Sequence, residues 1–308
     1  MMPPQMQPMT SVLQANACRT RAFTLIELLV VLTMVGVLIA LLLPAVQMAR
    51  EAARRMQCRN QIVQLVLGLQ NYQTAYRVLP PGSVNEAGPI KSDENGYHVS
   101  WIVQILPHLE QQNVYNSFDF MFGAYTPQNA AVRDHDIPML LCPSDNVPKT
   151  HGRNSYAGNH HDTESPIDVD NNGVVFLNSS IRLDDVADGT SCTVYVGEKW
   201  LSDGPLLGWV TGTTSTLRNG GGLPAFDAHA EHIPTLPGSH AVRPGDPEMS
   251  IAAREKDLLT VGGFSSRHTG GYHVGLGDSS VRFISHSLSR SVLRSLMNRA
   301  DAEIVGDF

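Results

Sequence analysis

One block of the chain has no polar face. Residues 23–46 read FTLIELLVVLTMVGVLIALLLPAV, and Glu27 is their only charge. As a helix this block would rise about 36 Å, enough to cross a bilayer core of about 30 Å. A core helix of a soluble domain is rarely apolar on every face for so long. Beyond it the pattern becomes periodic. Ala45, Ala49, Ala52 and Met56, and then Ile62, Leu65, Leu69, Tyr72 and Tyr76, recur at spacings of three and four. That predicts an amphipathic continuation of the helix, ended by Pro80-Pro81-Gly82. Phe23 to Arg77 would then measure about 80 Å, its first half apolar all round and its second half burying one face against a domain. Pro44 removes one backbone donor and predicts a bend.

After Gly82 the chain turns to short segments separated by turn residues. Residues 101–109 (WIVQILPHL) predict a short helix or strand, and Leu140-Leu141-Cys142 the end of a strand entering a turn at Pro143-Ser144-Asp145. Residues 174–177 (VVFL) and 193–196 (TVYV) predict strands, with Asp188-Gly189-Thr190-Ser191 as a turn between them. Residues 201–260 carry Gly, Pro and His without periodicity and predict loops or an insertion. Residues 272–276 and 281–284, joined through Gly277-Asp278-Ser279, predict a β-hairpin. Residues 288–299 predict a closing helix with Val292, Leu296 and Met297 facing inward. The fold class is therefore α+β, a long N-terminal helix packed on a loop-rich body with an antiparallel sheet. Charged residues are only 17 % of the chain, against 26 Gly and 19 Pro, which suits such a body better than a helical bundle.

The formal net charge is −7, and the first 22 residues hold Arg19 and Arg21 but no acid. Losing them would leave the rest more acidic still, which disfavours a nucleic-acid partner. The four cysteines, Cys18, Cys58, Cys142 and Cys192, form no CxxC pair and no Cys/His set with zinc-ligand spacing. Outside the cytoplasm a disulfide becomes available. Cleavage of a leader would leave three of them, and the sequence does not choose the pair; Cys58 with Cys142 is the pairing to test.

Glu27 is the informative residue of the apolar block. A carboxylate near the start of a membrane helix costs a few kcal/mol unless it is paired or lies near the interface. One reading is an interfacial Glu among the headgroups. The other supplies a partner: cleavage between Ala22 and Phe23 creates an α-amine four residues away, and Glu27 of one subunit pairs with the Phe23 amine of its neighbour. An ordinary secretory signal has a shorter apolar region followed by its cleavage site, so it fits less well. Residues 21–28 (RAFTLIEL) resemble the precursor motif of type IV pilins and type II secretion pseudopilins. The resemblance implies cleavage before Phe23 by a prepilin peptidase, N-methylation of Phe23, assembly guided by Glu27, and a helix kink at Pro44. Ala22 departs from the Gly usual at that place but keeps a small residue. The charges pull the other way. Arg50, Arg54, Arg55 and Arg59 after the block outnumber Arg19 and Arg21 before it, and a simple positive-inside count would keep the body in the cytoplasm. The motif puts the leader there instead, and outweighs the count.

Further landmarks lie downstream: Cys58-Arg59-Asn60, residues 142–145 (CPSD), residues 155–159 (SYAGN), residues 188–191 (DGTS) followed by Gly197-Glu198, and His268 with Asp278 ten residues later, in a run ending in residues 280–283 (SVRF). With these the chain resembles DUF1559 proteins, a large family abundant in planctomycete-type bacteria that joins a prepilin-type N-terminus to a body without an assigned activity. That family usually has Asp-Gly where this chain has Asp278-Ser279, and Asn where it has Cys192.

Candidate chemistry is sparse. His268 and Asp278 suggest a hydrogen-bonded pair across the hairpin, more often structural than catalytic, and no GxSxG, HExxH or P-loop pattern accompanies them. Residues 168–173 (DVDNNG) resemble the start of a calcium loop with Asp168, Asp170 and Asn172 as ligands, but Ser179 stands where the bidentate Glu would be. A polar turn without metal is the commoner arrangement. His229, Glu231 and His232, and separately His160, His161 and Asp162, are metal-capable side chains in loop-like surroundings.

The sequence thus divides into a leader (1–22), a transmembrane and assembly helix (23–46), an amphipathic stalk helix (47–80) and an extracytoplasmic body (81–308). The expected function is that of a structural pilin- or pseudopilin-like subunit and not an enzyme. Prepilin peptidase, like or related subunits and membrane lipid are the expected partners, and calcium the only candidate cofactor. The expected location is the inner membrane, spanned once. The alternative is a surface binding or adhesion module anchored singly and forming no fibre.

Overall fold

The computed structural model describes residues 24–145, 151–200, 207–221, 251–303 and 306. It falls into two compact units, one ending at Arg50 and one beginning at Glu51. A single helix, α1 (Leu25–Tyr76), runs from the first into the second. It continues through Pro44 without interruption. From Thr24 to Arg50 every residue is exposed. Within α1 lies a stretch long and apolar enough to cross a membrane.

In the second unit α1 buries a narrow stripe. Cys58, Gln61, Ile62, Leu65, Val66, Gly68 and Leu69 are its buried residues. The expected upper stripe is corrected: Ala49, Ala52 and Met56 stay exposed. The face turned to the body runs through positions 51, 55, 58, 62, 65 and 69, which also obey helical spacing. Its upper members are Glu51 and Arg55, so hydrophobicity could not trace it. Tyr72 packs at the edge of the core, and Tyr76 is exposed.

The body carries two sheets. Strands β1 (Ser83–Val84) and β2 (Val99–Ser100) pair antiparallel. Helix α2 (Trp101–Ile105) follows directly, with the Ser100 hydroxyl accepting from the Val103 amide as its N-cap, and continues as a 3-10 turn over Leu106–Leu109. Short helices α3 (Gln112–Asn116) and α4 (Ala130–Arg133) lead to a 3-10 turn at Pro138–Leu140. The main sheet is built from β3 (Tyr156–His161), β4 (Val194–Glu198), β5 (Leu217–Asn219), β6 (Gly271–Leu276) and β7 (Val281–Ser285), in the order β5-β3-β4-β6-β7. Only the β3–β5 pair is parallel. Helix α5 (Ile251–Leu259) precedes β6, and α6 (Arg290–Met297) closes the chain, capped by Ser289. In α6, Leu296 and Met297 are fully buried, and Val292 packs beside them.

The α+β class, the hairpin, the 193–196 strand and the closing helix match the sequence. Three expectations do not. Residues 201–260, expected as loops or an insertion, hold β5 and α5, while 201–206 and 222–250 lie outside the described residues. Residues 174–177 are buried but form no strand, because the chain kinks there. The Val174 and Val175 amides both donate to the Asn159 carbonyl, and Phe176 offers its carbonyl to Gly82, so the backbone is satisfied without a ladder. Leu140-Leu141 ends a 3-10 turn, not a strand, because Pro138 opens one instead. The hairpin turn also explains an oddity of sequence. Ser279 sits at φ 69°, the left-handed region that glycine occupies without strain, while Asp278 accepts the Ser280 amide at 2.8 Å.

α1 lies directly against Gly275 of β6. A Cβ there would lie 2.6 Å from both Ile62 Cγ2 and Val66 Cγ2. Both neighbours are β-branched and stiff. Gly275→Ala should therefore destabilise the full chain by about 1–3 kcal/mol, read as a lower denaturant midpoint; an unchanged midpoint would mean that the helix rides freely over the sheet.

His160 is buried in β3, and its Nδ1 lies 3.1 Å from Asn171 Oδ1. Burial outweighs that bond and lowers the imidazole to about 3. The unfolded chain therefore takes up a proton between its ordinary value of about 6.5 and about 3 that the folded chain refuses, and stability falls with pH across that window. The slope from this residue alone approaches about 1.4 kcal/mol per pH unit. His160→Gln should flatten the loss of stability between pH 6 and pH 4 by up to that amount; equal slopes in both proteins would place His160 elsewhere than in the core.

Candidate functional site

Two places bear on function, the start of α1 and a polar cluster where α1 meets the sheet. Phe23 and Ala22 lie outside the described residues, as do His229, Glu231 and His232. Glu27 lies within them, and its local role was missed by the sequence reading. The Thr24 amide and hydroxyl both donate to Glu27 Oε2, at 2.9 and 2.8 Å, and the Glu27 amide donates back to Thr24 Oγ1 at 3.3 Å. This is a capping box, Thr at the N-cap and Glu three residues on, and the T-x-x-E spacing would have shown it. Both bonds fall on Oε2, and among the described residues Oε1 accepts none.

The cluster draws on four distant segments. Cys58 comes from α1, Cys142 from the turn after the Pro138–Leu140 3-10 segment, Glu198 from the end of β4, and His268 from the loop before β6. One ligating atom from each lies within 4.8 Å of the others, and all four residues are buried. Cys58 and Cys142, the pairing singled out from the sequence, do meet: their Sγ atoms lie 2.7 Å apart as free thiols. His268 Nε2 is 3.6 Å from Cys142 Sγ and 3.4 Å from Glu198 Oε1.

A surrounding set of bonds fixes these groups. His268 Nδ1 lies 2.8 Å from Glu51 Oε1, and Glu51 is held in turn by Arg54 at 2.6 Å. The His273 amide donates to Glu198 Oε2 at 2.8 Å. The Cys142 amide donates to Ser155 Oγ at 3.0 Å. One turn along α1 from Cys58, Gln61 accepts from the Tyr156 hydroxyl at 2.6 Å and donates to the Pro138 carbonyl at 3.2 Å. Burial alone would drive Glu198 up, but bonds to His268 and His273 hold it down at about 2. Burial likewise opposes charge on His268, and its contacts with Cys142, Glu198 and Glu51 outweigh that and raise it to about 10. The bond from the Cys58 thiol, with help from His268, lowers Cys142 to about 5, while the same bond and burial push Cys58 up. Cys142 is thus the thiol that ionises first.

The expected His268–Asp278 pair is corrected. His268 binds the two glutamates instead, and Asp278 is spent on its own turn. The residues lie on opposite sides of β6, near its two ends, so ten-residue spacing carries them apart. Asp188 and Gly189 do form the expected turn. Gly189 has φ 88°, and the Asp188 carboxylate accepts the amides of Asp301 and Ala302, tying down the C-terminal segment. In the 168–173 segment the side chains serve the turn itself: Asp168 Oδ1 accepts the Val169 amide, Asn171 Oδ1 the Asp168 amide, and Asn172 Oδ1 the Asp162 amide. Asp170 is exposed. His161 pairs with Asp162 at 2.8 Å, but His160 turns away to Asn171.

Two family models match the chain. Residues 18–43 match the prokaryotic N-terminal methylation motif, which makes this a type IV pilin-like, prepilin-processed chain, and with α1 marks a single membrane anchor. No curated protein and no solved structure matches. Residues 47–291 match the model described as a protein of unknown function, DUF1559, and the chain belongs to that family.

Proposed function

We propose that the protein is a structural subunit of a pilus or type II secretion-like assembly, cut by prepilin peptidase before Phe23 and joined to like or related subunits through α1. The observation that carries this is the pairing of a methylation motif at residues 18–43 with a helix whose residues 24–50 are all exposed. So much apolar surface is stable only in lipid or against other apolar helices. The exposed Glu27 Oε1 is available to a neighbour's N-terminal amine while Oε2 caps its own helix. We assign no enzymatic activity: His268, the histidine of the expected pair with Asp278, is only 2 % exposed and is held by carboxylates.

In this reading the body faces the extracytoplasmic side of the inner membrane. The arginines that weigh against this in a simple count are partly spoken for. Arg54 is paired with Glu51, and Arg55 donates to the Thr269 carbonyl at 2.8 Å and lies over the Phe283 ring. Arg55 thus also serves to dock α1 on the body.

Two substitutions separate assembly from capping. Glu27→Gln should leave membrane insertion intact and abolish co-assembly, measured by cysteine crosslinking between neighbouring helices. Thr24→Val removes the cap, at about 1 kcal/mol, but keeps the charge, and should assemble. Unchanged crosslinking in Glu27→Gln would dismiss charge pairing, and its equal loss in both variants would assign Glu27 to helix capping alone.

A further inference from the structure

The Cys58–Cys142–His268–Glu198 cluster has more in it than a pair of thiols. Two sulfurs, one imidazole nitrogen and one carboxylate converge within 4.8 Å, all buried. They come from helix, turn, strand end and loop, so no local sequence spacing brings them together. We propose that this cluster is a structural binding site for a thiophilic divalent ion of the zinc class, independent of whether the subunits assemble.

The donor set is the first ground. Two Cys, one His and one carboxylate are four ligands of the kinds zinc takes, in the number a closed tetrahedral site needs. The outer contacts are the second. A ligating imidazole ordinarily gives its other nitrogen to a carboxylate, and ligating carboxylates are themselves hydrogen-bonded. Here His268 Nδ1 is 2.8 Å from Glu51 Oε1, which leaves Nε2 facing the sulfurs, and the His273 amide fixes Glu198 Oε2 at 2.8 Å.

The competing use of the sulfurs is a disulfide. Their separation of 2.7 Å exceeds a disulfide bond of about 2.05 Å. It falls short of the roughly 3.7 Å that two thiolates keep on one tetrahedral zinc with bonds of about 2.3 Å. Either outcome needs the side chains to move. A disulfide would use two of the four groups and leave His268 Nε2 and Glu198 Oε1 to their own ion pair at 3.4 Å. Metal binding uses all four. A metal there would cross-link α1 to the turn before β3, to β4 and to the loop before β6.

The test uses the full chain, extracted from membranes in detergent under anaerobic conditions without chelator or reductant. Elemental analysis should find about one zinc per chain, lost in Cys58→Ser, Cys142→Ser and His268→Ala. Since those variants risk misfolding, the wild-type chain is also stripped and titrated with Co2+. It should show the visible bands of a four-coordinate ion and a sulfur-to-cobalt charge-transfer band, and Glu51→Gln should weaken that binding by about 10- to 100-fold. A metal-free chain whose non-reduced peptide map contains a Cys58–Cys142 crosslink would overturn the proposal in favour of the disulfide. Zinc retained by His268→Ala, or cobalt bound without a charge-transfer band, would overturn it as well.

Discussion

Everything in this structure hangs on one helix that must satisfy two solvents. The first part of α1, to Arg50, exposes nothing but apolar side chains over most of its length, and the part from Cys58 to Leu69 supplies the body's own core. The junction lies at Glu51–Arg55, where ion pairs replace apolar packing. Above it every described residue of the helix is exposed; below it the helix cannot leave without opening the core around Ile62, Leu65 and Gly275. Anchor and fold are thus one element, and a body detached from α1 would lose a wall of its interior.

The sequence made the ends of this arrangement legible and hid the middle. An apolar run of this length, the RAFTLIEL motif and the Pro80-Pro81-Gly82 stop are local signals, and so is the β-hairpin. The docking face was hidden because its upper positions are charged: an apolar search follows Ala49, Ala52 and Met56 and lands on the exposed side. Residues 174–177 misled in the opposite sense, since a fully buried apolar run looks like a strand whether or not it pairs. The capping box at Thr24 and Glu27 was readable, but the cost of a charge in the membrane drew attention away from it.

The buried cluster could not have been found by spacing. Cys58 and Cys142 are 84 positions apart, and Cys142 and His268 a further 126. Each member nevertheless belongs to a short landmark stretch, Cys58-Arg59-Asn60, residues 142–145, Gly197-Glu198 and His268. Residues 155–159 supply the frame, with Ser155 holding the Cys142 amide and Tyr156 holding Gln61. What the sequence offered as scattered motifs, the fold assembles around one point on the inner face of α1. The His268–Asp278 pairing failed for the same reason: proximity in sequence across a hairpin competes with partners that only tertiary structure reveals.

The central claim is that this chain enters the membrane as a precursor and works after its leader has been removed. Mass spectrometry of the N-terminal peptide from the native protein tests it most directly. The account predicts a mature chain beginning at N-methylated Phe23. A mature chain that still carries Arg19 to Ala22 would contradict it, and would leave Glu27 as a helix cap at the membrane surface and the protein as a singly anchored module.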